Sequence, residues 1–129
     1  MTVPRALLLE DSTSCAIVAA GVLRGLGYRV ERYGWVKAAL CAIEGPRFDV
    51  YVIDAGVPQS AGGVPGSGLD VARRVLARYS DARVIVWSAA DATCARVIFA
   101  HKDAGPDGLR KAVTDLSPAH GLNRRTDDA

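Results

Sequence analysis

Five polar residues occupy positions where they could act together. Glu10 and Asp11 close the apolar run Arg5-Ala-Leu-Leu-Leu, and Asp54 closes Phe48-Asp-Val-Tyr-Val-Ile. Ser88 ends the run Ala82-Arg-Val-Ile-Val-Trp, and Lys102 follows Arg96-Val-Ile-Phe-Ala-His101. If these runs are neighbouring strands of one sheet, three carboxylates, a hydroxyl and an ammonium converge at one sheet edge. Clustered carboxylates repel unless a cation joins them. A hard divalent ion with oxygen ligands is the natural partner. Mg²⁺ suits this set, because it takes one or two carboxylates and completes its shell with water and phosphate oxygens. A lysine ammonium can pair with a carboxylate or a phosphoryl oxygen, and a serine hydroxyl can donate one hydrogen bond to that oxygen.

The elements that must position these residues are legible as an alternation. Residues 5–10 read as a buried strand. Ser12, Thr13 and Ser14 can cap a helix whose inward face is expected to carry Ile17, Val18, Val22, Leu23 and Leu26, ending at Gly27. Tyr28–Tyr33 alternates as a strand, and 35–44 carries Val36, Leu40 and Ile43 at helical spacing. Strand 48–54 is followed by a glycine- and proline-rich loop, 55–68. A helix over 69–79 points Leu69, Ala72, Leu76 and Tyr79 inward and Arg73, Arg74 and Arg78 outward. Strands 82–88 and 96–101 and a helix from Pro106 to Leu116 complete the pattern. Strands alternating with helices predict an α/β, doubly wound parallel sheet, with ligands outside the carboxyl ends of the strands.

Composition narrows the function classes. The chain has 129 residues, half of them hydrophobic, with net charge +2 from 16 basic and 14 acidic side chains. That is one domain with enough apolar material for a core, and a balance too even to mark a nucleic-acid binder. Three cysteines, Cys15, Cys41 and Cys94, form neither a disulfide framework nor a zinc ribbon. Free thiols fit a reducing compartment. No apolar run approaches the ~20 residues that span a bilayer, and Glu10 and Asp11 interrupt any signal-peptide pattern. A cytoplasmic, stand-alone domain without a membrane segment or a DNA-binding domain is expected.

The pattern over residues 5–116 resembles the CheY-like receiver domain of bacterial two-component response regulators. Leu-Leu-Leu-Glu10-Asp11-Ser matches the first strand and acidic pair, Tyr-Val-Ile-Asp54 the strand ending in the phospho-accepting aspartate, and Gly68-Leu69-Asp70-Val71 the entry to the third helix. Ser88 falls at the Thr/Ser position, Lys102 at the lysine position and Phe99 at the aromatic switch position. The resemblance implies a five-stranded sheet of order 2-1-3-4-5 and a receiver domain over 1–116, with a polar, disordered tail over 117–129. It implies Mg²⁺-dependent phosphotransfer to Asp54 from a sensor histidine kinase or histidine phosphotransfer protein. Glu10, Asp11, Asp54 and the backbone carbonyl of Gly56 would hold the metal. Lys102 and Ser88 would engage the phosphoryl group, Ser88 and Phe99 would switch, and an unknown downstream protein would read the change. Such a chain catalyses only its own phosphorylation chemistry and is no enzyme in the usual sense.

Two departures from the family pattern stand out. Asp103 follows Lys102 where the family usually has proline. The interval 89–101 must also hold a strand of ~5 residues, which leaves too little for a helix of ~11 residues and its connections. The helix between strands four and five is therefore expected to be reduced or absent, and residues 89–95 to be the mobile, signal-bearing segment. Read without the resemblance, Phe99 and Trp87 are core packing, His101 is a surface side chain, and Cys94 is inert. A receiver-like module that binds a partner or small ligand without phosphorylation is the competing function. A phosphohydrolase is disfavoured because Gly56 stands where a second acid is needed, and a flavin carrier because no Ser/Thr-rich phosphate loop follows the first strand.

Overall fold

The computed structural model describes residues 2–64, 66–89 and 96–115. Short apolar strands alternate with helices: β1 (Arg5–Leu9), α1 (Thr13–Gly25), β2 (Arg29–Tyr33), α2 (Val36–Ile43), β3 (Val50–Ile53), α3 (Gly68–Arg78), β4 (Val84–Ser88), β5 (Ile98–His101) and α4 (Gly105–Asp115), with a 3₁₀ turn over Lys102–Ala104. All strand pairs are parallel, and the sheet order is β2-β1-β3-β4-β5. This is the doubly wound α/β arrangement that the alternation predicts. The expectation for the connection between β4 and β5 falls on residues 90–95, and the tail expectation on 117–129; both lie outside the described residues. Ala89 is exposed.

The central strands are buried on both faces, so their sequences are continuous apolar runs rather than alternations. Ala6, Leu8, Val50, Val52, Ile85 and Trp87 pack with α1 and α4. Leu7, Leu9, Tyr51, Ile53 and Val84 pack with α2 and α3. The opposite facing of successive residues fixes strand register, since a slip of one residue would exchange the two cores.

The inward face of α1 differs from the sequence expectation. Ala16, Ala19, Ala20, Val22 and Leu23 are buried, whereas Ile17 is 68% and Val18 40% exposed, and Leu26 also lies at the surface. Small alanines let the helix backbone approach the sheet, and that rotation turns the bulkier Ile17 and Val18 to solvent. On α3 the buried set is Gly68, Val71, Ala72, Val75 and Leu76, with Leu69 and Tyr79 at the margin. Among the described residues no helix is long and apolar enough to cross a membrane.

One glycine is fixed by close approach. A Cβ on Gly68 would lie 2.0 Å from the Asp54 carbonyl oxygen and 2.9 Å from Ala55 Cα, and the Gly68 N–H donates to the Ala55 carbonyl at 3.1 Å. The start of α3 is thereby pressed against the backbone that carries Asp54. Gly68→Ala should destabilise the fold by about 2 kcal/mol or more through overpacking against backbone. Gly21→Ala, in open space within α1, should stabilise it by about 0.5–1 kcal/mol. Denaturant unfolding of both variants checks the contrast.

Candidate functional site

The carboxyl edge of the sheet brings the predicted residues together. Residue Glu10 leaves β1 with its N–H donating to the Tyr33 carbonyl at 3.0 Å, and Asp54 leaves β3 with its N–H donating to the Leu9 carbonyl at 2.9 Å. The Leu9–Ile53 register therefore sets Glu10 and Asp54 side by side. Glu10 is fully buried and Asp54 nearly so, whereas Asp11 is exposed. One oxygen from each of Glu10, Asp11 and Asp54 lies within 4.8 Å of the others.

Local hydrogen bonds hold the two buried carboxylates. The Ser12 N–H donates to Glu10 Oε2 at 3.1 Å, while the Ser12 side chain caps α1 by accepting from the Cys15 N–H. Arg32 Nε donates to the Glu10 carbonyl at 3.0 Å. The Gly56 N–H donates to Asp54 Oδ1 at 3.0 Å, a turn in which the aspartate bonds its own backbone two residues on. From the end of β5, Lys102 reaches between the two acids: its Nζ lies 2.7 Å from Glu10 Oε1 and 3.2 Å from Asp54 Oδ2.

The electrostatics follow from burial. Desolvation pushes the Glu10 carboxyl up from 4.5 to about 7, aided by the charge of Asp54; the bonds from Lys102 and Ser12 only partly offset it. Burial alone would lower Lys102, but its contacts with Glu10 and Asp54 outweigh burial and hold its pKa raised. Lys102 is therefore a full ammonium, paired with two of the three carboxylates. The donor set is all oxygen, part buried and part solvent-facing, and carries more negative charge than Lys102 balances. Those features fit a hard divalent cation that keeps several waters.

Ser88 is buried at the end of β4, opposite His101 in the β4–β5 register. Phe99 is half-buried on β5 and meets the His101 ring edge-on, centroids 6.0 Å apart. His101 accepts the Asp103 N–H at Nδ1, 3.1 Å, which shapes the turn after Lys102. The Gly56 carbonyl accepts the Gly66 N–H at 3.0 Å, so the glycine-rich loop folds back on the position expected to face a metal. Cys94 lies outside the described residues. Sequence reasoning treated Trp87 only as packing and did not single out Arg32. Both stand next to strand ends, and a tryptophan in an otherwise aliphatic strand was the available signal.

No protein-family model and no curated protein matches the sequence. Many solved structures match the fold, many of them CheY-like response-regulator receiver domains. A response regulator receiver protein from Sinorhizobium medicae superposes with TM-score 0.77 at 21% identity, over 88% of this chain and 94% of that one. The receiver domain of a putative LuxO repressor from Vibrio parahaemolyticus gives 0.75 at 23%, over 97% and 98%. The response regulator TrrA of Thermotoga maritima, in complex with Mg²⁺–BeF, gives 0.74 at 22%, over 88% and 99%. At these identities the likeness is one of fold, and it covers nearly the whole chain.

The raised Glu10 pKa makes a signed prediction. Between about 4.5 and about 7 the folded protein holds a proton on Glu10 that the unfolded chain releases. Glu10 therefore makes stability fall as pH rises through that window, with the penalty fully present above about 7 and absent below about 4.5. In divalent-free buffer, urea unfolding at a series of pH values should show this negative slope in the wild type. Glu10→Gln should flatten it.

Proposed function

We propose that the chain is a receiver that accepts a phosphoryl group on Asp54 in a Mg²⁺-dependent reaction and signals through altered protein contacts. The observation that carries the reading is Lys102 bridging Glu10 and Asp54 in a three-carboxylate cluster. The donors would be a sensor histidine kinase or a histidine phosphotransfer protein, and the setting the cytoplasm. Receiver domains of the same fold, one of them in complex with Mg²⁺–BeF, support the assignment, as does the agreement of Ser88 and Lys102 with the family's positions.

The chemistry uses groups already in place. Asp54 is the nucleophile: one carboxylate oxygen forms the bond to phosphorus as the bond from phosphorus to the donor's histidine nitrogen breaks, and that nitrogen keeps the electron pair. The Gly56 N–H fixes the carboxylate plane, so the attacking oxygen does not rotate away from the donor. Glu10, Asp11, Asp54 and the Gly56 carbonyl are the residues to hold Mg²⁺, which supplies charge neutralisation for the transferring oxygens. Lys102 pairs with the oxygens of the product, and the Ser88 hydroxyl donates to one of them. Ser88 and Phe99 are the switch residues, the role that the resemblance gives to their positions. In this reading the chain is not a turnover enzyme, because the phosphoryl acceptor is its own side chain.

Incubation with a small phosphodonor and Mg²⁺ should add one phosphoryl mass to the wild type and none to Asp54→Asn. Labelling of that variant to the wild-type level overturns the assignment. Asp11→Ala should abolish the Mg²⁺-dependent amide shifts around Asp54 in an NMR titration and leave the fold intact, because Asp11 is exposed. An unchanged titration places the ion elsewhere.

A further inference from the structure

The lysine that serves the cluster has a third neighbour. Trp87, in β4, is almost fully buried in the α1–α4 core, and its ring centre lies 5.1 Å from Lys102 Nζ. That is within the ~6 Å range over which an ammonium is attracted to an aromatic face, and indole is the strongest such face. The Lys102 ammonium thus stands within reach of Glu10, Asp54 and an indole ring.

The choice of tryptophan here needs a reason beyond filling space. Its Nε1 is buried and has no hydrogen-bond partner among the described residues. A buried, unpaired N–H costs free energy that phenylalanine or leucine would avoid. What the indole adds is its electron-rich face, and the cation in front of it is Lys102. The need for such a contact is also visible. Lysine is a point charge on a flexible four-carbon stem, and the backbone after it continues into a 3₁₀ turn at Asp103 that fixes the chain but not the ammonium.

We propose that Trp87 is the positioning residue of the site: its indole face holds the Lys102 ammonium on the line between Glu10 and Asp54, where a phosphoryl oxygen would arrive. The assignment rests on the phosphotransfer reading for its consequence, but its geometry is measurable without phosphotransfer. Trp87 follows Val86, the register partner of Ile53, and so stands beside the strand end that carries Asp54; in this assignment it acts through Lys102.

The test uses a Trp35→Phe background, so that Trp87 is the sole tryptophan of the two in the chain. Ring fluorination weakens the cation attraction with little change of shape, so it separates electrostatics from packing. Selective isotope labelling of lysine reports the ring current. Lys102 methylene resonances should lie upfield of those of Lys37 and Lys111 and move toward them in Trp87→Leu. With a small phosphodonor and saturating Mg²⁺, the phosphorylation rate constant should fall stepwise through mono-, di- and trifluorotryptophan, by about threefold in all, at constant phosphodonor KM. Trp87→Phe should recover much of the rate lost in Trp87→Leu. Rates that stay flat across the fluorinated series in a protein that labels normally overturn the proposal. So does a Lys102 spectrum with no ring-current shift, whether or not the protein labels. Absence of labelling in the unfluorinated parent and in the wild type, with the ring-current shift present, instead overturns the phosphotransfer reading and leaves the Trp87–Lys102 contact established.

Discussion

Three carboxylates and one ammonium at a single sheet edge set the terms for the rest of the structure. Such a cluster survives only if its members are held against their own repulsion. The holding force is the pairing of parallel strands whose side chains interdigitate with helices on both faces. The Leu9–Ile53 pair sets Glu10 beside Asp54, and the Ser88–His101 pair brings Lys102 just beyond Ser88. Each pairing is locked by the alternation of two cores, because a slip of one residue would drive Leu7 and Leu9 into the space of Ala6 and Leu8. The site is thus assembled by registers whose stability comes from burial well below it.

A second set of constraints acts from the side. The loop after β3 is long, and long loops in small domains are often functional. Here it is braced by its own backbone: Gly66 N–H to Gly56, Ser67 N–H to Val57 and Gly68 N–H to Ala55. It also completes α2. Trp35 offers no side-chain cap, and the N–H groups of Val36 and Lys37 donate instead to the carbonyls of Pro58 and Gln59, both at 2.9 Å. Orphan donors at a helix start need acceptors, and the loop supplies them. The segment that frames Asp54 is therefore tied at one end to α2 and at the other to the first residue of α3.

The sequence carried the alternation of strands and helices and the identity of the acidic cluster because both rest on local signals, apolar runs ending in acid and capping residues before helices; the strand order came from the family resemblance. The face of α1 was misread for a physical reason. Hydrophobicity counts weigh Ile17 and Val18 above Ala16, Ala19 and Ala20, yet close helix–sheet packing selects the small residues. The bracing of the loop was not legible at all, since carbonyl-to-amide bonds between 36–37 and 58–59 are non-local and leave no mark on side-chain pattern. Trp87 was visible as an oddity, a tryptophan in an aliphatic strand, but its meaning depends on where Lys102 ends, and the stem of a lysine leaves that open.

The balance between Glu10 and Lys102 explains why a fully buried glutamate is tolerable here. A buried acid paired with a single cation is costly to break and gives little net stability when intact. Glu10 has more than one partner: Lys102 at Oε1 and the Ser12 N–H at Oε2. If Lys102 shifts toward new negative charge on Asp54, one Glu10 oxygen keeps its backbone donor and the other loses its cation. Glu10 is also among the residues that would hold Mg²⁺ in the proposed reaction, and the charge of that ion would stand in for the ammonium the oxygen gives up. Under the proposed reaction Lys102 can therefore follow the phosphoryl group without forcing the β1 edge apart. Glu10 and Lys102 together make the movement affordable in free energy, and the rigid registers of β1, β3 and β5 confine it to the side chains.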